Sequence, residues 1–264
     1  MNEVEPALEP GVPAEEPDED ESGKMSFLEH LDELRKRLVR IVTYIGIGFL
    51  ATFYFHERIY QFLSVPARKS LPTGTNLVFT KITQPFSVYI WVSVVAGIFL
   101  TSPFILYEVW KFIAPGLYRK EKRFIVPFLV SSVFLFVAGG AFCYYIVLPR
   151  AYTFLISFGK DFTPMLTIDE YLDITLTMML GFGAMFEMPV IIGFLSVFGL
   201  VTAGFLWRKF KYSIVIIFII AAVLSPTPDA MNQCIYAAPM IVLYLISIVV
   251  AAIFGWRRKK QGLE

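Results

Sequence analysis

Residues 124–148 read FIVPFLVSSVFLFVAGGAFCYYIVL, a run of 25 residues without a charged side chain. About 20 consecutive apolar residues are enough for an α-helix to cross the hydrocarbon core of a bilayer, so this run predicts a transmembrane helix. The composition agrees, since 56% of the 264 residues are hydrophobic and only 17% are charged. Soluble domains carry about 25% charged residues, which places this chain among integral membrane proteins.

Five further apolar stretches bring the prediction to an all-α, polytopic membrane protein with six transmembrane helices. They cover residues 38–55, 86–110, 171–199, 212–224 and 234–254. The stretch at 212–224 would rise only about 20 Å as a helix, against roughly 30 Å of hydrocarbon, so it needs a thinned bilayer or shielding by neighbouring helices. Before the first span, Ser26 and Glu29 form a capping box and apolar residues recur at helical spacing, which predicts an N-terminal amphipathic helix.

The distribution of Lys and Arg predicts the orientation of these spans. One set of span ends carries 17 of the 23 basic residues and the other set carries six. The excess of basic residues marks the cytoplasmic side, so both termini are expected in the cytoplasm. The two outer loops, at about 56–85 and 149–170, contain several Pro and Gly residues that break helices, and they predict a compact periplasmic cap.

The two ends of the chain differ from the apolar middle. Nine of the 22 acidic residues lie between Glu3 and Glu21, among several prolines, which predicts a disordered cytoplasmic tail over residues 1–24. This segment also lacks the apolar core of a cleavable signal peptide. Residues 257–264 form a short basic C-terminal segment, so the membrane domain is expected to cover residues 25–256.

Several chemical functions are excluded by what the sequence lacks. There is no P-loop pattern and no Gly-x-Ser nucleophile signature, so neither an ATPase of that type nor a serine protease is indicated. Cys143 and Cys234 are too few for a disulfide framework and lack the spacing of a metal site. We therefore expect no enzymatic activity, no metal and no cofactor.

Glu187 is the most unusual residue within a predicted span, in the sequence GFGAMFEMP over residues 181–189. A carboxylate at that depth is costly unless it is protonated or partnered. It is either a neutral acid bonded to a neighbouring helix or a polar patch on a translocation or partner-binding groove. Pro189 can kink the span and so shape a concave surface there, although a kink with no further role is an equal alternative.

Three motifs together resemble the TatC family, the core subunit of the twin-arginine protein translocase. They are HLDELRKRL from His30, YEVWKFIAPGLY from Tyr107 and FEMP from Phe186, and their order and spacing also match. The second motif is followed three residues later by Glu121, which makes it highly specific. The resemblance extends over about residues 25–256.

The resemblance implies a function and a set of partners. Members recognise twin-arginine signal peptides of folded cargo proteins and assemble a channel with TatA-type and TatB-type subunits, driven by the proton-motive force. This implies a multi-pass protein of the bacterial cytoplasmic membrane, a homo-oligomer within the receptor complex, and no nucleic-acid partner. Short fifth and sixth spans are also implied, with local bilayer thinning that eases passage of the cargo.

The resemblance also implies roles for individual residues. On the cytoplasmic side, the signal-peptide site is formed by Glu33, Arg35, Phe112 and Glu121. Within the membrane, Glu187 contacts partner helices or the inserted signal sequence. On the periplasmic side, the functional positions are Pro66, Phe86, Asp229 and Gln233.

The residues themselves support this assignment only in part. Carboxylates such as Glu33 and Glu121 suit the planar forks of paired arginines, so paired lysines should bind less well. Against this, Glu121 lies among four cations, and Glu33 and Arg35 are equally compatible with simple solvent-facing charges. Asp229 could cap the sixth helix. A small-solute transporter using Glu187 as a proton site, and a structural membrane scaffold, are the alternative functions.

Overall fold

The structure is a computed structural model that describes residues 27–71, 77–113, 125–158, 165–224 and 230–260. Within these ranges the chain is helical with short connections, and an isolated parallel β-bridge pairs Val78 with Thr167. The predicted all-α fold is confirmed. The predicted acidic tail, the capping residue Ser26 and the site residues Glu121 and Asp229 lie outside the described residues.

The described helices differ widely in length, from six to 31 residues. In chain order they are α1 (Phe27–Phe53), α2 (His56–Leu63), α3 (Val65–Ser70), α4 (Gln84–Ile113), α5 (Ile125–Phe142), α6 (Leu148–Phe158), α7 (Ile168–Phe186), α8 (Met188–Val197), α9 (Ala203–Arg208), α10 (Phe210–Leu224) and α11 (Ala230–Lys260). A π-helical turn, Cys143–Val147, joins α5 to α6.

Six helical segments correspond to the six predicted spans. Four are long and apolar enough to cross a membrane, namely Gln84–Ile113, Val126–Ser157, Ile168–Val197 and Gln233–Trp256. The segment Glu29–Phe53 passes the same test only together with His56–Ser70, from which it is bent by 88°. The sixth is α10, which is apolar but has only 15 residues, as its short hydropathy stretch predicted.

The structure corrects two expectations about the ends of spans. The sixth span is not short, because Gln233–Trp256 forms 24 residues of apolar helix within the longer α11. The second outer loop also begins later than predicted, since the helix continues through Pro149 to Phe158. The π-helical turn directly before Pro149 widens the helix, which leaves room for a ring that would otherwise clash with the preceding turn.

The predicted amphipathic helix and the first span form one continuous helix, α1, which packs antiparallel against α4. The contact is close because both helices have glycine there: a Cβ added to Gly48 would lie 2.6 Å from the carbonyl oxygen of Gly97. Nearby, Thr52 Oγ1 donates to the carbonyl oxygen of Ser93 at 2.7 Å. Small residues and hydroxyl hydrogen bonds of this kind hold helices together in membranes, where apolar burial gives little drive.

The helices α2, α3 and α6 pack together at the end of the bundle where α1 finishes and α4 begins. Pro66 and Ala67 of α3 are buried in this contact, and the bridge between Val78 and Thr167 lies at the same end. We call this group the cap. The other end of the bundle, where α1 begins and α4 finishes, carries Lys36, Arg37, Arg40 and Lys111, and we call it the basic end.

Candidate functional site

The basic end holds four charged side chains that contact one another across α1 and α4. Arg37 donates from Nε to Glu33 Oε1 at 3.0 Å, and its Nη2 donates to the same oxygen. Its Nη1 donates to Glu108 Oε2 at 2.8 Å, and Arg40 Nη1 lies 3.5 Å from that oxygen. We call these four residues, Glu33, Arg37, Arg40 and Glu108, the Arg37 cluster.

The spacing of the cluster explains why its residues meet. Residues four and three positions apart share one face of a helix, so Glu33, Arg37 and Arg40 all turn towards α4. Glu108 is only 3% exposed and Arg37 only 8%. Such burial is tolerated because two carboxylates and two guanidinium groups compensate each other's charge. Glu33 Oε2 is buried and has no hydrogen-bond partner among the described residues.

The cluster opens onto a cavity of about 540 Å³, whose remaining lining residues are Glu29, Asp32, Lys36 and Lys111. Asp32 and Lys36 form an exposed ion pair at 2.6 Å on its rim. Next to it, the rings of His30 and Phe112 stack with their centroids 4.5 Å apart. The cavity is thus lined by charged side chains of both signs, and the aromatic pair lies on the residues that follow Glu29 and Lys111. Carboxylates and aromatic faces are groups suited to a cationic peptide.

The structure brings together only part of the predicted signal-peptide site. Glu33 and Phe112 lie at the same end of the bundle, whereas Arg35 is exposed on the side of α1 away from Glu33. Sequence reasoning missed Arg37 and Glu108. Glu108 carried a usable signal, because an acid inside the predicted span at 86–110 needs a partner just as Glu187 does.

Glu187 occupies the break between α7 and α8, and its residue is only 8% exposed. Pro189 lies in the first turn of α8 and has no N–H to continue the helix, so the predicted kink coincides with this break. The Ser132 hydroxyl of α5 is a polar neighbour that interacts with the carboxyl group. Its Oε1 is buried without a hydrogen-bond partner in the described part of the chain, so Ser132 satisfies the carboxyl group only partly.

The three remaining predicted residues that the structure describes contact different elements. Pro66 is buried in the cap, and Phe86 is 64% exposed in the first turn of α4. Gln233 Nε2 donates to the carbonyl oxygen of Phe218 at 2.7 Å, and its side chain lines a groove of about 510 Å³ along α10. The other lining residues of this groove are apolar: Ile214, Val215, Phe218, Ile219, Ala222 and Val223.

Comparison with known proteins gives consistent matches over almost the whole chain. Residues 29–239 match the family model described as Sec-independent protein translocase protein (TatC). The protein of that name from Koribacter versatilis is 47% identical over 262 residues, covering 98% of this chain and 96% of that protein. The one from Aquifex aeolicus is 38% identical over 240 residues, covering 90% of this chain and 98% of that protein.

A solved structure matches at the level of the fold as well. The crystal structure of a twin-arginine translocase receptor, TatC, superposes with a TM-score of 0.77 at 38% sequence identity. The match covers 86% of this chain and 99% of that one. A second crystal structure of the receptor, in the detergent DDM, gives the same TM-score at 39% identity.

Proposed function

This chain belongs to the TatC family of Sec-independent protein translocase proteins, and from that premise we propose that it binds the twin-arginine signal peptides of folded cargo proteins. It is a multi-pass membrane component of a protein translocase. The proposal includes a scaffold role in assembling the translocation channel, with transport driven by the proton-motive force. The main observation that supports the proposal is that the two acids of the Arg37 cluster bind a guanidinium group beside an open cavity.

The chemistry of the cluster supports an arginine ligand. Its two acids already bind one guanidinium group from two sides, through three nitrogens of Arg37. A planar guanidinium can make several hydrogen bonds to carboxylates at once, whereas an ammonium group acts as a point charge. A site built in this way favours arginine over lysine, and Phe112 with His30 adds an aromatic surface for the rest of the peptide.

Two further residues complete the proposed peptide site. Glu121 belongs to the connection between α4 and α5. The end of α4 and the start of α5 both lie at the basic end, so Glu121 is proposed to offer a carboxylate for the second arginine. Arg35 is exposed on the side of α1 away from Glu33, and we assign it contacts with backbone carbonyls or acids in the part of the peptide that extends beyond the cavity.

We place the basic end in the cytoplasm and the cap on the periplasmic side of a bacterial cytoplasmic membrane. The bias of 17 basic residues against six between the two sets of span ends supports this orientation. Both termini are then cytoplasmic, which agrees with an even number of spans. Signal peptides would meet the Arg37 cluster before they enter the membrane.

The partner helices of TatA-type and TatB-type subunits are assigned to the groove along α10. A Gln amide has two N–H groups and one oxygen, so the bond of Gln233 to Phe218 leaves hydrogen-bonding capacity for a second helix. The shortness of α10 also supports a partner there, because packing against another helix stabilises a helix that is shorter than the hydrocarbon thickness. Glu187 is proposed as a second polar contact for an inserted helix. Asp229, Phe86 and Pro66 are proposed to act on the periplasmic side. Copies of the chain are proposed to associate in the receptor complex.

Export of a folded reporter tests the proposal. Cells that lack their own TatC but contain matched TatA-type and TatB-type partners would express this chain with a twin-arginine reporter. We expect export with the wild-type chain and a strong loss with Glu33→Gln, while Glu57→Gln, an exposed acid in the first turn of α2, leaves it unchanged. Absence of export by the wild-type chain, despite matched partners, would contradict the proposed function. It would favour the alternative of a small-solute transporter, and solute-uptake assays would then test that alternative.

A further inference from the structure

Arg37 makes the same kind of contacts with carboxylates that an arginine of a bound peptide would make. Its Nε and Nη2 both donate to Glu33 Oε1, and its Nη1 donates to Glu108 Oε2 at 2.8 Å. The two acids come from different helices and are 75 residues apart in sequence, so the fold and not the local helix geometry creates this arrangement. The side chain that fills it belongs to the chain itself.

We infer that Arg37 occupies, in the resting protein, the position that an arginine of the signal peptide takes on Glu33, and that Glu108 retains Arg37 during the exchange. This inference rests on the proposed function, because it presupposes that Glu33 binds a signal-peptide arginine. It adds a competitor, Arg37, and a positioning residue, Glu108, to the site.

The two carboxylate oxygens of Glu33 accept different numbers of hydrogen bonds, which leaves one oxygen available to an arginine of the peptide. Oε1 accepts both bonds from Arg37, whereas Oε2 has no partner among the described residues. Oε2 is buried, so an incoming guanidinium group must displace the side chains that cover it, but it can then bond to Oε2 before any bond of Arg37 breaks. The exchange then proceeds through a state in which Glu33 contacts both arginines, which avoids an unpaired buried carboxylate.

Glu108 keeps Arg37 paired with an acid after the peptide has displaced Arg37 from Glu33. Arg37 is almost fully buried, and a buried guanidinium group without an acid is strongly unfavourable. Because Nη1 of Arg37 remains bonded to Glu108, release of Glu33 does not leave Arg37 without a counter-charge. Arg40, 3.5 Å from the same carboxylate, shares Glu108 and so limits how tightly Arg37 is held.

Equilibrium binding of fluorescent peptides to the purified full chain in lipid nanodiscs tests the inference. The peptides carry the same signal sequence with either two arginines or two lysines, and the variants are Glu108→Gln, Arg37→Gln and the double variant. Glu108→Gln should weaken twin-arginine binding about tenfold, because Arg37 then depends on Glu33 alone. Arg37→Gln should tighten it by roughly fivefold or more, because the competitor is gone.

The decisive quantity is the coupling between the two changes. Glu108→Gln should have little effect once Arg37 is Gln, since no displaced arginine remains to be held. Equal effects of Glu108→Gln in both backgrounds, or no effect in either, would overturn the inference. If Arg37→Gln does not yield monodisperse protein, Arg37→Lys replaces it, and the same reduction in the Glu108→Gln effect is expected because lysine competes less well for two planar acids.

The controls separate this inference from the function on which it rests. Glu108→Asp keeps the charge and should restore most of the binding. Glu57→Gln should bind like wild type, because Glu57 lies in α2, beyond the end of α1 that is about 30 Å from Glu33. Wild-type protein that binds both peptides equally well would contradict the proposed function. Selective wild-type binding that Glu108→Gln leaves unchanged would contradict only the inference.

Discussion

The indole N–H of Trp110 donates to the hydroxyl oxygen of Ser132 at 2.9 Å, which joins α4 to α5 near the basic end. Ser132 is also the residue that reaches the carboxyl group of Glu187. The motif around Trp110 and the intramembrane acid Glu187 therefore both interact with one buried hydroxyl group. Phe128 and Phe194 pack around Trp110 and exclude other polar partners from its ring faces.

The first prediction concerns this shared hydroxyl group. Ser132→Ala leaves the buried Trp110 N–H without its hydrogen-bond partner and removes a polar neighbour of the Glu187 carboxyl group, so the free energy of unfolding should fall by about 1–3 kcal/mol. Denaturant titration of the detergent-solubilised protein, followed by circular dichroism, measures the loss. Ser131→Ala is the matched control, because Ser131 is exposed and bonds only to the Pro127 carbonyl. Equal losses for the two variants would refute the role of the shared hydroxyl.

The second prediction concerns the attachment of the cap. Pro66 has no N–H to donate to the carbonyl of Phe62, four residues earlier, and Tyr144 donates its hydroxyl to that oxygen at 2.7 Å. Tyr144→Phe should weaken the docking of α2 and α3 by about 0.5–1.5 kcal/mol. Faster amide hydrogen exchange in α2 and α3, with the rest of the bundle unchanged, is the expected result.

Two comparisons make this cap prediction specific. Tyr145→Phe alters the neighbouring exposed tyrosine and should leave exchange in α2 and α3 as it is in wild type. Pro66→Ala supplies an N–H four residues after Phe62, so the Phe62 carbonyl, which already accepts from a backbone N–H at the end of α2, gains a further donor and depends less on Tyr144. Tyr144→Phe should cost less in that background, and an undiminished cost would show that Pro66 acts in another way.

The third prediction concerns the contact between α1 and α4. A Cβ on Gly48 would lie 2.6 Å from the Gly97 carbonyl oxygen and 2.9 Å from a methyl group of Thr101, so Gly48→Ala forces the helices apart. Overpacking of this kind lowers stability by about 1–3 kcal/mol. Gly46→Ala is the control, because nothing lies within 4 Å of its added Cβ and alanine favours a helix. A thermal shift of the same sign for both variants would contradict the prediction.

The fourth prediction concerns the groove along α10. Gln233→Leu keeps the apolar volume but removes the only amide of the groove lining, so it should reduce co-purification of a TatB-type subunit while leaving the fold intact. Quantitative affinity purification from membranes measures the change. Cys234→Ala, at the exposed neighbouring position, should retain the partner. Undiminished recovery with Gln233→Leu would show that the partner helix binds elsewhere.

Hydropathy along the chain was sufficient to predict the all-α fold, the six apolar segments and the short α10. These features depend on transfer free energies that add up residue by residue, so no knowledge of neighbours is needed. Hydropathy also predicted the sixth span at 234–254, close to the observed Gln233–Trp256, and only the resemblance implied that this span is short. The prediction from helix-breaking residues failed at Pro149, because a π-helical turn before it lets the helix continue.

The pairing of charges at the basic end was decided only by tertiary structure. The motif around His30 drew attention to Glu33 and Arg35, yet the residue that meets Glu33 and Glu108 is Arg37. Which arginine faces α4 depends on the rotation and register of two antiparallel helices, and the close approach of Gly48 to Gly97 helps to set both. That contact lies 11 residues from both Arg37 and Glu108, so the sequence alone determined the charges at this end but not their partners.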